Sequence, residues 1–203
     1  MANVSELQRI VDFVLEIDKL KGVTRKTRPL GLDRYENSAE HSWQIALLAI
    51  SLAPHAKTEA GAPIDIDRVV RMLLVHDIGE IETGDTMVYV EEGWAERKGA
   101  EAKAVTRIFA MLPDAQCAAF MSLWDEFEDE QTPEAKFANA ADRAMPVLLN
   151  LANNGQSWRE NGITYERVVH RIAAQIRDGC PALWTYLEGR LDEARAQGWF
   201  GVA

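Results

Sequence analysis

"IDRVVRMLLVHDIGEIETGD", residues 66–85, decides the reading of this chain. Val69, Val70, Leu73 and Leu74 recur at helical spacing, which predicts a helix with those four side chains inward and Gly79 as its C-terminal stop. His76, Asp77, Glu80, Glu82 and Asp85 then follow within ten residues. Positions three and four apart on a helix share a face, so Asp77 lies beside Leu73 and Leu74, and His76 beside Met72 and Leu73. The His76–Asp77 pair is therefore predicted on the buried side. A buried carboxylate needs a partner, a metal or a proton.

The same period runs outward in both directions. Val4, Leu7, Val11 and Val14 mark one face of a first helix that stops near Gly22. "ENSAEHSW" opens a second, with Asn37 and Glu40 spaced as a capping box and the end set before Pro54. Further helices are predicted over 94–111, 114–128, 134–152, 165–178 and 181–197, the last with Pro181 in its first turn and Gly198 beyond its end. "DTMVYVEEG" (85–93) has the look of an extended segment, and nothing else reads as sheet. "NNGQSWRENG" (153–162) reads as the longest loop, either a plain connection or a cover over a site. The expectation is an all-α fold in a single domain spanning the 203 residues.

Two other helices repeat the anomaly of the first stretch. His41 is followed at helical spacing by Ile45, Leu48 and Leu52; Asp142 sits between Ala138 and Met145. Taken one at a time, a helical His is most often a hydrogen-bonded core residue, and a buried Asp has a cation to pair with in Arg143. Consecutive helical residues diverge by about 100°, which argues against that last pairing. Together His41, His76, Asp77 and Asp142 make a His2Asp2 set suited to one divalent ion among Mn, Fe, Co, Zn and Mg, with two positions open if the geometry is octahedral. Pro146 removes the amide that would bond to the Asp142 carbonyl, so a kink there either aims the ligand or merely improves packing. His55 and His170 read as structural or surface residues.

Bulk properties narrow the functions available. A formal charge of −10 argues against a long nucleic acid as partner. No apolar run approaches the roughly 20 residues of a membrane span, and the N-terminus lacks the pattern of a secretory signal, so a cytoplasmic location is expected. Cys117 and Cys180 stand far apart and read as buried, inert thiols. "KGVTRKTRPLGLDR" (21–34) holds Lys21, Arg25, Lys26, Arg28 and Arg34 against Asp33 alone, either a phosphate site or a solvated loop.

The texts "LKGVTR" (20–25), "ENSAEHSW" (36–43), "HDIGEIETGD" (76–85) and "QTPEAKFANAADR" (131–143) together resemble the HD-domain superfamily of metal-dependent phosphohydrolases, and within it the 5′-deoxynucleotidase branch. The resemblance spans most of residues 1–197. It implies a helical, frequently dimeric protein with His41, His76, Asp77 and Asp142 as ligands to one divalent ion. It further implies Glu80 as the catalytic glutamate, Asp85 as the acid working beside it, and Arg25 as the phosphate-site arginine, with Lys26 and Arg28 as helpers. Glu82 is left as surface. Lys26 stands where branch members can carry a tryptophan that tells deoxyribose from ribose, which puts strict 2′-deoxy selectivity in doubt.

The implied reaction is hydrolysis of a nucleoside 5′-monophosphate to nucleoside and phosphate. Two alternatives stand beside it. One is action on another small phosphate ester or phosphonate; the other is a non-catalytic nucleotide-binding module that keeps its metal for stability.

Overall fold

The computed structural model describes residues 4–56, 61–90 and 92–202. Ten α-helices follow in order: α1 (Val4–Ile17), α2 (Ser38–Leu52), α3 (Ile66–Val75), α4 (Glu80–Thr83), α5 (Trp94–Phe109), α6 (Asp114–Asp129), α7 (Pro133–Ala152), α8 (Gln156–Glu160), α9 (Tyr165–Gly179) and α10 (Pro181–Ala196). The described residues form no β-strand, and Thr24 and Asn37 make an isolated antiparallel bridge. The all-α expectation therefore holds.

The helix starts follow their local chemistry. Asn37 Oδ1 accepts from the Glu40 amide at 2.9 Å while Glu40 reaches back to the Asn37 amide at 3.2 Å, completing the capping box of α2. Asp65, Thr132 and Thr164 cap α3, α7 and α9 in the same sense, each accepting from the backbone three residues on.

α7 is the central post, packed against α2, α3, α6, α9 and α10. Its alanines at 135, 138, 140, 141 and 144 are all buried, and their small side chains let neighbours approach from several sides. An ionisable residue on the inward faces of this helix is consequently carried into the interior, and Asp142 is the one that matters below.

Several expectations are corrected. The face of α1 that packs inward is Phe13, with Ile10 and Ile17 beside it; Phe13 lies 6.3 Å from Phe109 and 5.8 Å from Phe120, ring centre to ring centre. Leu7, Val11 and Val14 are exposed, and the Val4 side chain lies outside the described residues. Both stripes obey the helical period. The aromatic one wins because it buries more apolar area.

On α3, Val69 and Leu73 are fully buried as expected, but Val70 is half-buried and Leu74 is exposed. Gly79 does not stop that helix: it has right-handed helical angles and sits at the N-cap of α4. The 85–90 segment is irregular with a turn rather than extended, and the 153–162 stretch contains α8. Cys180 is buried, Cys117 only partly.

α8 is held by the C-terminal segment. The Trp158 and Phe200 rings stack at 4.5 Å, and Gly155, at φ 71°, brings its backbone so close that an added Cβ would meet the Trp199 carbonyl oxygen at 2.0 Å. Gly155→Ala would combine left-handed backbone strain with a steric clash. It is expected to cost about 2–4 kcal/mol, read from the midpoint of chemical denaturation. No helix among the described residues is long and apolar enough to cross a membrane.

Candidate metal centre

Three separate chain segments meet at one point. His41 lies in the first turn of α2, fixed by the capping box; His76 closes α3, with Asp77 next; Asp142 projects from the middle of α7. One ligand atom from each of His41, His76 and Asp77 falls within 4.8 Å of the other two. Asp142 Oδ1 stands 2.8 Å from His41 Nε2 and 3.7 Å from His76 Nε2, and Asp77 Oδ1 is 2.9 Å from the same His76 nitrogen.

His76 is clamped in a ligand's posture. Its Nδ1–H donates to the Leu73 carbonyl at 2.9 Å, the Trp124 indole N–H holds its own carbonyl at 3.1 Å, and Phe127 packs on the ring at 4.8 Å. With Nδ1 committed to a carbonyl, Nε2 is the nitrogen left to face Asp77 and Asp142, and its lone pair is the one a cation would take in place of a proton.

The electrostatics point the same way. Burial opposes charge on His76, but Asp77 and Asp142 outweigh it and raise the imidazole to about 10. Burial opposes charge on Asp142 too, yet its contacts with His41 and His76 hold it well below the usual carboxylate range. Burial and then Arg25 lower His41 to about 4 instead, so the pull on a cation comes from the two carboxylates beside His76. Two imidazoles and two carboxylates fit one divalent ion of the Mn, Fe, Co, Zn or Mg type.

Around this set lies a shell of further charge. Arg25 Nη1 is 3.1 Å from Asp77, 3.2 Å from Asp85 and 3.9 Å from Glu80, and these acids keep the guanidinium firmly protonated despite burial. The Thr24–Asn37 bridge delivers it there, reinforced by the Arg25 amide donating to the Glu36 carbonyl at 2.9 Å. Glu80 is buried and accepts from the Ser38 hydroxyl at 2.6 Å. Burial, then Asp77 and Asp85, push the Glu80 carboxyl well above its ordinary value; burial and Asp77 raise Asp85 also.

Arg25, Lys26, His76, Asp77, Glu80, Asp85 and Asp142 line one pocket. Arg28 does not join them; it is engaged by Asp33 and Glu160, each at 3.2 Å, which removes it from the set of helpers expected of the basic island. Lys21 pairs with Asp18 and Arg34 with Glu40 in the same way. Glu82 bonds to Arg107, away from the centre. His55 and His170 are exposed.

Three residues at the site escaped the sequence reading. Ser38 and Glu36 sit inside "ENSAEHSW", and their side chains reach Glu80 and Arg25 across distances that the helix period does not record. Arg143 was set aside on the 100° argument, yet its Nη1 lies 3.7 Å from Asp142 Oδ2 and it lines the pocket with a buried Nε that has no hydrogen-bond partner. A long flexible side chain can reach back over its neighbour; the backbone angle alone does not forbid it.

The chain is similar to known proteins over most of its length. The family model described as HD domain matches residues 17–184. The 5′-deoxynucleotidase YfbR of Shigella flexneri is 31% identical over 146 residues, covering 69% of this chain and 73% of that protein. The 5′-deoxynucleotidase HDDC2 of Xenopus laevis is 27% identical over 143 residues, covering 68% of each. A predicted metal-dependent phosphohydrolase from Magnetospirillum magnetotacticum MS-1 superposes with a TM-score of 0.88 at 40% identity, covering 98% of this chain and 100% of that one.

Proposed function

The chain belongs to the HD domain family and is a metal-dependent phosphohydrolase; from that premise we propose that it hydrolyses nucleoside 5′-monophosphates to nucleoside and inorganic phosphate. The observation that carries the reading is one pocket lined by His76, Asp77 and Asp142, with His41 buried behind Asp142, beside a buried guanidinium and two raised carboxyls. The two 5′-deoxynucleotidase relatives support the substrate class.

His41, His76, Asp77 and Asp142 would hold the ion. When bound, a divalent ion supplies Lewis-acid stabilisation to a phosphoryl oxygen and makes water a better nucleophile near neutral pH. Arg25, within 4 Å of Asp77, Asp85 and Glu80, reaches a phosphoryl group lodged among them and offsets its charge through N–H donors. Glu80 takes the proton of the attacking water as the new P–O bond forms and the P–O5′ bond breaks. The proton then goes to the departing O5′. Burial, followed by Asp77, raises the Glu80 carboxyl and so favours its holding the proton between the two steps. Ser38 fixes Glu80 through Oε2, and Asp85 orients water or sugar beside it.

Lys26 lines the pocket with its ammonium 5.5 Å over the Tyr35 ring. A flexible cation at this position gives no flat wall against a 2′-hydroxyl, so paired ribo- and deoxyribonucleoside monophosphates are expected to turn over at comparable rates. Steady-state phosphate release on both members of each pair measures this, and strong preference for the deoxy member would contradict it. Activity confined to non-nucleotide esters would reject the substrate assignment. A homodimer belongs to the same proposal, and sedimentation equilibrium tests it.

A further inference from the structure

Three buried polar atoms without a hydrogen-bond partner converge behind the metal centre: Arg25 Nε, Glu36 Oε1 and His41 Nδ1. Glu36 Oε1 lies 3.5 Å from the arginine nitrogen and 3.9 Å from the histidine nitrogen, and the Glu36 residue is only 2% exposed. Both separations exceed a good hydrogen bond, and each of the three atoms is itself buried. Orphaned atoms of complementary chemistry, meeting at one point, mark a contact that a small movement would close.

The backbone makes the placement of Glu36 rigid. Its amide donates to the Thr27 carbonyl at 2.9 Å and its carbonyl accepts from the Arg25 amide at 2.9 Å, so it is fastened to the segment that carries the arginine. Five residues later the same chain presents His41. The Glu36 carboxylate is thus the group standing between Arg25 and the rear nitrogen of His41.

Ligand chemistry says what that contact is for. His41 Nε2 faces Asp142 and the ligand cluster, while Nδ1 faces Glu36. A neutral imidazole that offers the Nε2 lone pair to a cation carries its hydrogen on Nδ1, and that hydrogen needs an acceptor. Glu36 Oε1 is the acceptor provided. The same oxygen, drawn toward His41, remains within reach of Arg25 Nε, so a change at the histidine is felt at the arginine.

We propose that Glu36 is a positioning residue that ties the metal ligand His41 to the phosphate-binding Arg25, so that a divalent ion and a phosphoryl group bind cooperatively. The proposal rests on the site reading given above for His41 and Arg25. It adds that one buried carboxylate links the two halves of the site.

Calorimetric titration of the protein with Mn(II) alone, and of the metal-free and the Mn(II)-loaded protein with inorganic phosphate, tests this without turnover. Glu36→Ala is expected to weaken Mn(II) binding by about 10–100-fold. Glu36→Gln keeps the shape and an oxygen acceptor, guards against misfolding of the alanine variant, and is expected to fall between it and the unsubstituted protein. In both variants Mn(II) should enhance phosphate binding less than it does in the unsubstituted protein, an effect that simple loss of packing would not produce. Unchanged Mn(II) and phosphate affinities in folded Glu36→Gln would overturn the proposal. Failure of the unsubstituted protein to bind Mn(II) would overturn the site reading and this proposal together, whereas normal binding there with no change in the variants would overturn this proposal alone.

Discussion

Asp77→Asn is expected to strip the protein of its divalent ion on dialysis and to lower kcat/KM by on the order of 10³-fold. Asp77 is the ligand with the most dependants: its Oδ1 lies beside His76 Nε2 and its Oδ2 beside Arg25, so one substitution removes a metal ligand and loosens the phosphate-site cation. Lewis-acid stabilisation is worth several kcal/mol, and each 1.36 kcal/mol is tenfold in rate, which sets the magnitude. Burial alone would raise the Asp77 carboxyl, but His76 and then Arg25 hold it down to about 2, so it is an anion at every pH of interest. Metal content by elemental analysis, measured alongside phosphate release, separates loss of the ion from loss of chemistry. Retention of full metal content by the variant would contradict the ligand assignment.

Glu80→Gln is expected to do the reverse: keep the ion and lose about 10²–10⁴-fold in kcat, with KM little changed. The glutamine preserves shape and still accepts from Ser38, so the cap of α2 and the bond at 2.6 Å have no reason to fail. What disappears is the ability to take a proton. Should this variant retain both its metal and full turnover, Glu80 would not have the catalytic role given to it here. The pair of substitutions thus divides the site into residues that hold the ion and residues that move the proton.

Much of this was legible in the sequence because helices write their period into it. The number and order of the long helices, the capping box at Asn37 and the inward course of His41, His76 and Asp142 all followed from spacing, since positions three and four apart must share a face. Where two stripes obeyed the same rule, spacing could not choose. α1 carries both Leu7/Val11/Val14 and Ile10/Phe13/Ile17, and only the packing of Phe13 on Phe109 and Phe120 reveals which one is inside.

That His41, His76, Asp77 and Asp142 converge was legible for the same reason, and the surrounding shell was not. Glu36 and Ser38 act through side chains whose targets, Arg25 and Glu80, lie 11 and 42 residues away, a relation that no local pattern records. Arg28 and Arg25 look alike in a basic island. What separates them is that the bridge at Thr24 turns one inward, while Asp33 and Glu160 engage the other at the surface. Arg143 shows the limit of reasoning from backbone angles about long side chains.

The central claim is that four ligands hold one divalent ion for hydrolysis of a nucleoside 5′-monophosphate. Its most direct test is phosphate release from deoxyadenosine and adenosine 5′-monophosphates by chelator-treated protein, before and after addition of Mn(II) or Co(II). Negligible release is expected before addition and sustained turnover after it. Release that is indifferent to chelation, or none from any nucleoside monophosphate with the metal restored, would contradict it.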